Sequence, residues 1–137
     1  LMDPSSITPN YCDSLSCLHA LEHFGLGRYG DPINPRGHEM GLANMSRLLC
    51  EKGRLYLSVP IGIERVEFNA NRVFAPQTIL RIAGEISLDP IALTIISSKT
   101  GKAVDVLSDA TALDQFARQH YALGIFTFEK RPILTWG

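Results

Sequence analysis

The stretch His19-Ala20-Leu21-Glu22-His23 gathers two imidazoles and a carboxylate within five positions. On a helical turn, His19 stands at i+3 and i+4 spacing from Glu22 and His23, so the three can share a face. Such a set could accept a proton from a bound substrate, because imidazole ordinarily titrates near neutrality. It could equally ligate a divalent metal. A zinc-peptidase arrangement of the H-x-x-E-H kind needs a long helix here, and the glycines that follow forbid one. A third reading gives Glu22 and His23 a purely orienting role, through hydrogen bonds to the neighbouring chain.

Two polar stretches extend this set. Gly25-Leu26-Gly27-Arg28-Tyr29-Gly30 matches G-x-G-x-x-G in form, but Asp31-Pro32 and Asn34-Pro35 follow it. A dinucleotide site needs a helix starting within the glycines, so these glycines instead shape a substrate loop or lid, with Arg28, Tyr29 and Asp31 as candidate contacts. Farther on, Asn69, Asn71 and Arg72 could hold a polar acceptor, a small molecule or a glycan-like one. Arginine presents a fork for carboxylate or phosphate, although Arg72 could instead pair with Glu64 or Glu67. His38 and His120 attract no functional assignment, and His120 reads as helix packing.

The elements that must carry these residues alternate. Residues 14–18 read as a strand, 38–50 as a helix with Gly53 at its left-handed cap, and 55–59 as a strand stopped by Pro60. Its apolar run suggests burial on both faces. A loop spans 61–74, then a helix from Ala75 with Pro76 in its first turn, ended by Gly84. Residues 91–97 form a strand, 109–120 a helix capped by Ser108, and 123–128 the last strand. Strand–helix alternation predicts an α/β fold with a mostly parallel sheet. Ligands in such sheets bind beyond the C-terminal strand ends, and both polar stretches leave from such ends.

Composition narrows the class. The 137 residues suit one domain, are 45% apolar and carry a formal net charge of −1 without a basic block. That gives no strong nucleic-acid signal. No run approaches the roughly 20 apolar residues of a membrane span, and the N-terminus lacks a secretory signal. A cytoplasmic protein is expected, with Cys12, Cys17 and Cys50 as reduced, mostly buried thiols. Residues 1–10 read as a loose entry segment and 11–137 as the folded unit.

Several segments carry a resemblance. Asp13–His23 is similar to the fourth strand, and the following "LEH", of class I S-adenosylmethionine-dependent methyltransferases. Arg47–Pro60 resembles their fourth helix running into the fifth strand. Arg72-Val73-Phe74-Ala75-Pro76 is similar to the entry of the next helix, and Gly124–Lys130 to the antiparallel final strand. The loop Gly25–Pro32, with Glu67–Arg72, resembles one uncharacterised methyltransferase-like subfamily. The resemblance implies a partial Rossmann-like methyltransferase fold, a mostly parallel sheet with an antiparallel C-terminal strand.

It also implies S-adenosylmethionine as cofactor, with Leu18 and His19 beside it, and His19, Glu22 and His23 as catalytic residues. Metal-dependent O-methyltransferases with a Glu-x-x-Glu-His cluster imply a divalent metal on the same three residues, although His19 replaces the first Glu. Related sequences often add a histidine where this chain has Asn71. The family's Gly-rich first turn and its acidic second-strand end would precede Asp13, and twelve residues cannot hold them. The chain therefore reads as the C-terminal half of such a domain, inactive alone. Its alternative reading is a non-catalytic remnant, an interaction module that self-associates through an exposed sheet edge.

Overall fold

The computed structural model describes residues 7–27, 33–67 and 71–132. Strand β1 (Cys12–Leu18) leads through a 3-10 turn (Leu21–His23) to helix α1 (Gly37–Leu48) and strand β2 (Leu49–Ile61). A hairpin, β3 (Arg65–Glu67) and β4 (Asn71–Val73), precedes helix α2 (Pro76–Glu85). Then come β5 (Leu88–Ser97), β6 (Ala103–Asp105), helix α3 (Ala110–Ala117) and β7 (Ala122–Lys130). The main sheet has the order β1-β2-β7-β5-β6. β1 and β2 pair in parallel, while β7 lies antiparallel between β2 and β5. Three strands, β1, β2 and β5, thus run one way, with the last strand inserted against them.

A parallel pair needs a crossover, and α1 supplies it. Leu42 and Met45 form its apolar stripe and are fully buried. The helix passes directly into β2, with Leu49 as its extended cap. Gly53 is therefore not a helix cap but lies inside β2, where Lys52 takes the left-handed turn at φ 64°. Pro60 does not stop the strand either, since it pairs with Leu123. Its carbonyl accepts from Phe74 N at 3.1 Å, on the side that β1 leaves vacant beyond Leu18, so the missing amide breaks no ladder bond.

The expected loop 61–74 contains the β3–β4 hairpin instead. Helix α2 starts as expected, with Ala75 extended and Pro76 first, but runs past Gly84 to Glu85. Helix α3 is capped by Asp109, whose carboxylate accepts from Ala112 N at 3.0 Å, rather than by Ser108. It ends at Ala117, which leaves His120 outside the helix and exposed.

Ladder partners share a face, and here the two faces differ. Cys17, Leu57, Phe126 and Leu93 stand in register on one side, all buried. Leu42 and Met45, Ile79 and Ile82, and Leu113 and Phe116, from α1, α2 and α3, join that core. The opposite side carries Ser16, Tyr56, Thr127 and Ala92 in one row and Leu18, Ser58, Ile125 and Thr94 in the next. There Leu18, Tyr56 and Ile125 are 60%, 38% and 37% exposed, and no described helix covers them. Burial on both faces holds at the end of β2, where Leu57, Ser58, Val59, Pro60 and Ile61 are all buried, but not earlier in the strand, where Arg54 and Tyr56 are exposed. The three cysteines are free thiols, and burial pushes the Cys17 thiol upward.

Candidate functional site

The C-terminal ends of β1 and β2 form one rim. At the end of β1, His19 takes a left-handed backbone (φ 53°). Its amide donates to Ser58 of β2, at 3.1 Å to the carbonyl and 3.2 Å to Oγ. That corner turns the chain into the 3-10 turn, closed by His23 N on Ala20 O at 3.1 Å. Glu22 and His23 are 3% and 8% exposed, and His23 Nε2 lies 3.7 Å from Glu22 Oε1. His19 is exposed.

A metal set of His19, Glu22 and His23 needs all three on one helical face. The turn covers only Leu21–His23, and the left-handed corner puts His19 in solvent while its two partners sit in the interior. Among the described residues no group of three or more His, Cys, Asp or Glu side chains could hold a metal ion. Glu22 and His23 instead form a buried pair of a carboxylate beside an imidazole, held together by the turn.

The first loop is closed by its ends. Gly25 (φ 76°) accepts from Asn34 N at 2.7 Å, and a Cβ at Gly25 would lie 2.1 Å from Asn34 O, so only glycine fits. Among the described residues no helix starts at Gly25 or Gly27; α1 begins at Gly37. Arg28, Tyr29 and Asp31 lie outside the described residues, as does Asn69.

Arg72 of β4 is 5% exposed and spans both polar stretches. Its guanidinium donates to Phe24 O in a short bond, to Asn34 O at 3.3 Å and to Pro35 O at 3.4 Å. The hairpin is thereby held against the His19–His23 corner, as the order of parallel strands requires. Arg72 is occupied in clamping backbone carbonyls. The expected ion pair to Glu67 is made by Arg65 at 3.4 Å. Asn71 begins β4, half-buried, paired with Glu67. Leu18, at the tip of β1, faces outward.

His38 stands in no local motif. It lies in the first turn of α1 with its ring 5.4 Å from Phe74. Burial, with the Arg72 charge behind it, lowers its pKa to about 4, so the ring is neutral at physiological pH. Nothing near His38 in the sequence signals this, because Phe74 and Arg72 are distant in the chain.

This fold is that of the Rossmann-like methyltransferases. Residues 8–125 match the family described as "Caenorhabditis protein of unknown function, DUF268", and the chain belongs to that family. No curated protein matches. Among solved structures, Burkholderia thailandensis 1,6-didemethyltoxoflavin-N1-methyltransferase, with bound 1,6-didemethyltoxoflavin and S-adenosylhomocysteine, is similar at 17% identity and TM-score 0.59, over 94% of this chain and 48% of that one. An O-methyltransferase from a Brevibacillus brevis trans-AT PKS multienzyme, in complex with S-adenosyl-L-homocysteine, is similar at 15% identity and TM-score 0.62, over 97% and 49%. The [4+2]-cyclase SpnF is similar at 12% identity and TM-score 0.61, over 94% and 54%. The chain spans about half the length of these structures. At such identities the likeness establishes the fold, and the cyclase is a reminder that one fold carries more than one chemistry.

Proposed function

We propose that this chain forms the acceptor side of an S-adenosylmethionine-dependent methyltransferase domain. The observation that carries the reading is the meeting of the His19–His23 corner with the Arg72 clamp at the C-terminal ends of two adjacent parallel strands. Leu18 and His19 would hold one edge of the cofactor, Leu18 by apolar contact, since its side chain is open to solvent at the strand tip. When bound, the cofactor supplies an electrophilic methyl group. The chain's own residues contribute alignment and proton removal. His19, exposed at the rim, would accept the acceptor's proton; Glu22 would orient His23 to do the same for a group reaching deeper. Arg28, Tyr29, Asp31, Asn69 and Asn71 would line the path of a polar acceptor, a small molecule or glycan, while Arg72 keeps the two loops together. A cytoplasmic setting suits the three free thiols.

Calorimetric titration with S-adenosylmethionine tests this. We expect weak saturable binding to this chain, reduced by Leu18→Asp. An absence of heat at millimolar cofactor would sink the reading.

A second reading, a non-catalytic interaction module, is favoured by a different observation. The outer edge of β1 has no described strand partner, and beside it lies a hollow of about 380 Å³ lined by Leu15, Cys17, Leu18, Phe24 and Met45, among others. An open edge with apolar surface invites pairing with another chain. Light scattering across a concentration series would reveal self-association, and a monomer at every concentration would count against it.

A further inference from the structure

A second recess lies on the helix side of the rim. It measures about 410 Å³ and is walled by the first turns of α1 and α2 and by the β3–β4 hairpin. Its lining includes His38, Arg65, Arg72, Thr78 and Arg81, with Glu64 as the one acid. The Glu64 carboxylate is turned to the backbone, accepting from Ala75 N at 3.2 Å. Arg65 bonds Glu67 and the carbonyls of Ile63 and His120; Arg81 meets Glu85 at 3.2 Å. Each guanidinium carries five N–H donors, more than these bonds consume. Both helices present their amino ends to the recess, which adds positive potential.

An independent feature points to a ligand. The Nδ1 atom of His38 is buried and has no hydrogen-bond partner. A buried ring nitrogen left unmatched is a standing cost, removed when something polar arrives. Because the ring is neutral, it offers one donor and one acceptor and does not demand a counter-ion.

We propose that this recess binds an oxyanion, the phosphate or carboxylate group of a small molecule, through Arg65, Arg81 and Thr78, with His38 Nδ1 bonding a hydroxyl or amide beside that group. The chemistry follows from the walls. Trigonal and tetrahedral oxyanions match a guanidinium fork and a hydroxyl. The face of Phe74 and the Val66 and Val73 side chains leave room for a short apolar portion. The recess shares Arg72 with the clamp at the His19–His23 corner, but Arg65, Thr78 and Arg81 have no part in the proposed methyl transfer.

The test is a titration of isotope-labelled protein at pH 7 with inorganic phosphate and, separately, with acetate, each against sodium chloride of equal ionic strength. The His38 ring resonances and the first-turn amides of α1 and α2 are followed. We expect saturable shifts confined to that group, and binding about tenfold weaker in Arg81→Gln, the loss of one charge-assisted bond. Arg81 is exposed, so the variant should fold, and Arg118→Gln, outside the recess, should bind as the parent does. A response to phosphate identifies a phosphate group as the ligand's anchor, and one to acetate alone identifies a carboxylate. Shifts that chloride reproduces, equal affinity in Arg81→Gln, or no localised shift with either anion would each overturn the proposal.

Discussion

The two faces of the main sheet are built from the same strands yet obey different rules. On one, Leu57 and Phe126 are sealed beneath three helices; on the other, their chain neighbours Tyr56 and Ile125 meet solvent. A strand exposes alternate residues to opposite sides, so most of the sheet carries one committed face and one uncommitted face, except at the end of β2, where Ser58 and Pro60 are buried too. The committed face is mostly apolar and supplies the core, with Lys130 at its margin donating to Ser46 O of α1. The uncommitted one mixes serine and threonine with Leu18, Tyr56 and Ile125, a composition that tolerates water and could still accept a packed layer. What the difference teaches is that the helices and the core are gathered on one face, while the other keeps apolar side chains in solvent.

The largest expected effect tests that division directly. Phe126→Ala should cost about 3–5 kcal/mol in chemical denaturation, the price of a cavity in a tight core, while Ile125→Ser, one residue away, should stay within about 0.5 kcal/mol. Similar losses for both would show that something covers the open face in solution and would dissolve the comparison. Next comes the rim corner. Arg72→Met keeps the volume but frees the carbonyls of Phe24, Asn34 and Pro35. We expect a loss of about 3 kcal/mol, the scale of breaking a buried charged hydrogen-bonding group, with hydrogen exchange rising first around Phe24 and Asn34. Unchanged exchange there would mean that the loop holds without its clamp.

The smallest effect is a pH dependence. Unfolded, the His38 imidazole titrates near 6.5; folded, it does so at about 4. Between these values the unfolded chain binds more protons, so acid favours unfolding. The contribution is complete above about pH 6.5 and is lost as pH falls toward about 4. Discounted for solvent screening at a half-buried site, it amounts to about 1 kcal/mol. His38→Phe should flatten the denaturation midpoint across that window; an unaltered slope would assign the dependence to other groups.

Local chemistry made much of the fold legible. The apolar run Leu55–Val59 as strand, the Ala75-Pro76 helix start and the loop at Gly25 and Gly27 each read correctly, because apolar runs, a first-turn proline and glycine's backbone freedom are properties of short segments. Adjacency of the His19–His23 corner to Arg72 followed from the parallel order. Other readings failed where a distant partner decided. Gly53 looked like a cap, but pairing with β1 drew its segment into β2. The polar stretch after Pro60 looked like open loop, but Arg65–Glu67 and Asn71–Val73 paired into a hairpin.

The α/β class, the strand–helix alternation and the closeness of Glu22 to His23 were all written in nearest-neighbour spacing. Packing alone determined that Glu22 and His23 are interior while His19 is not, that Arg72 binds carbonyls, and that His38 joins three arginines around a recess. The reason is range. Backbone preference and periodicity act over a few residues, whereas burial and charge depend on segments that only folding brings into contact.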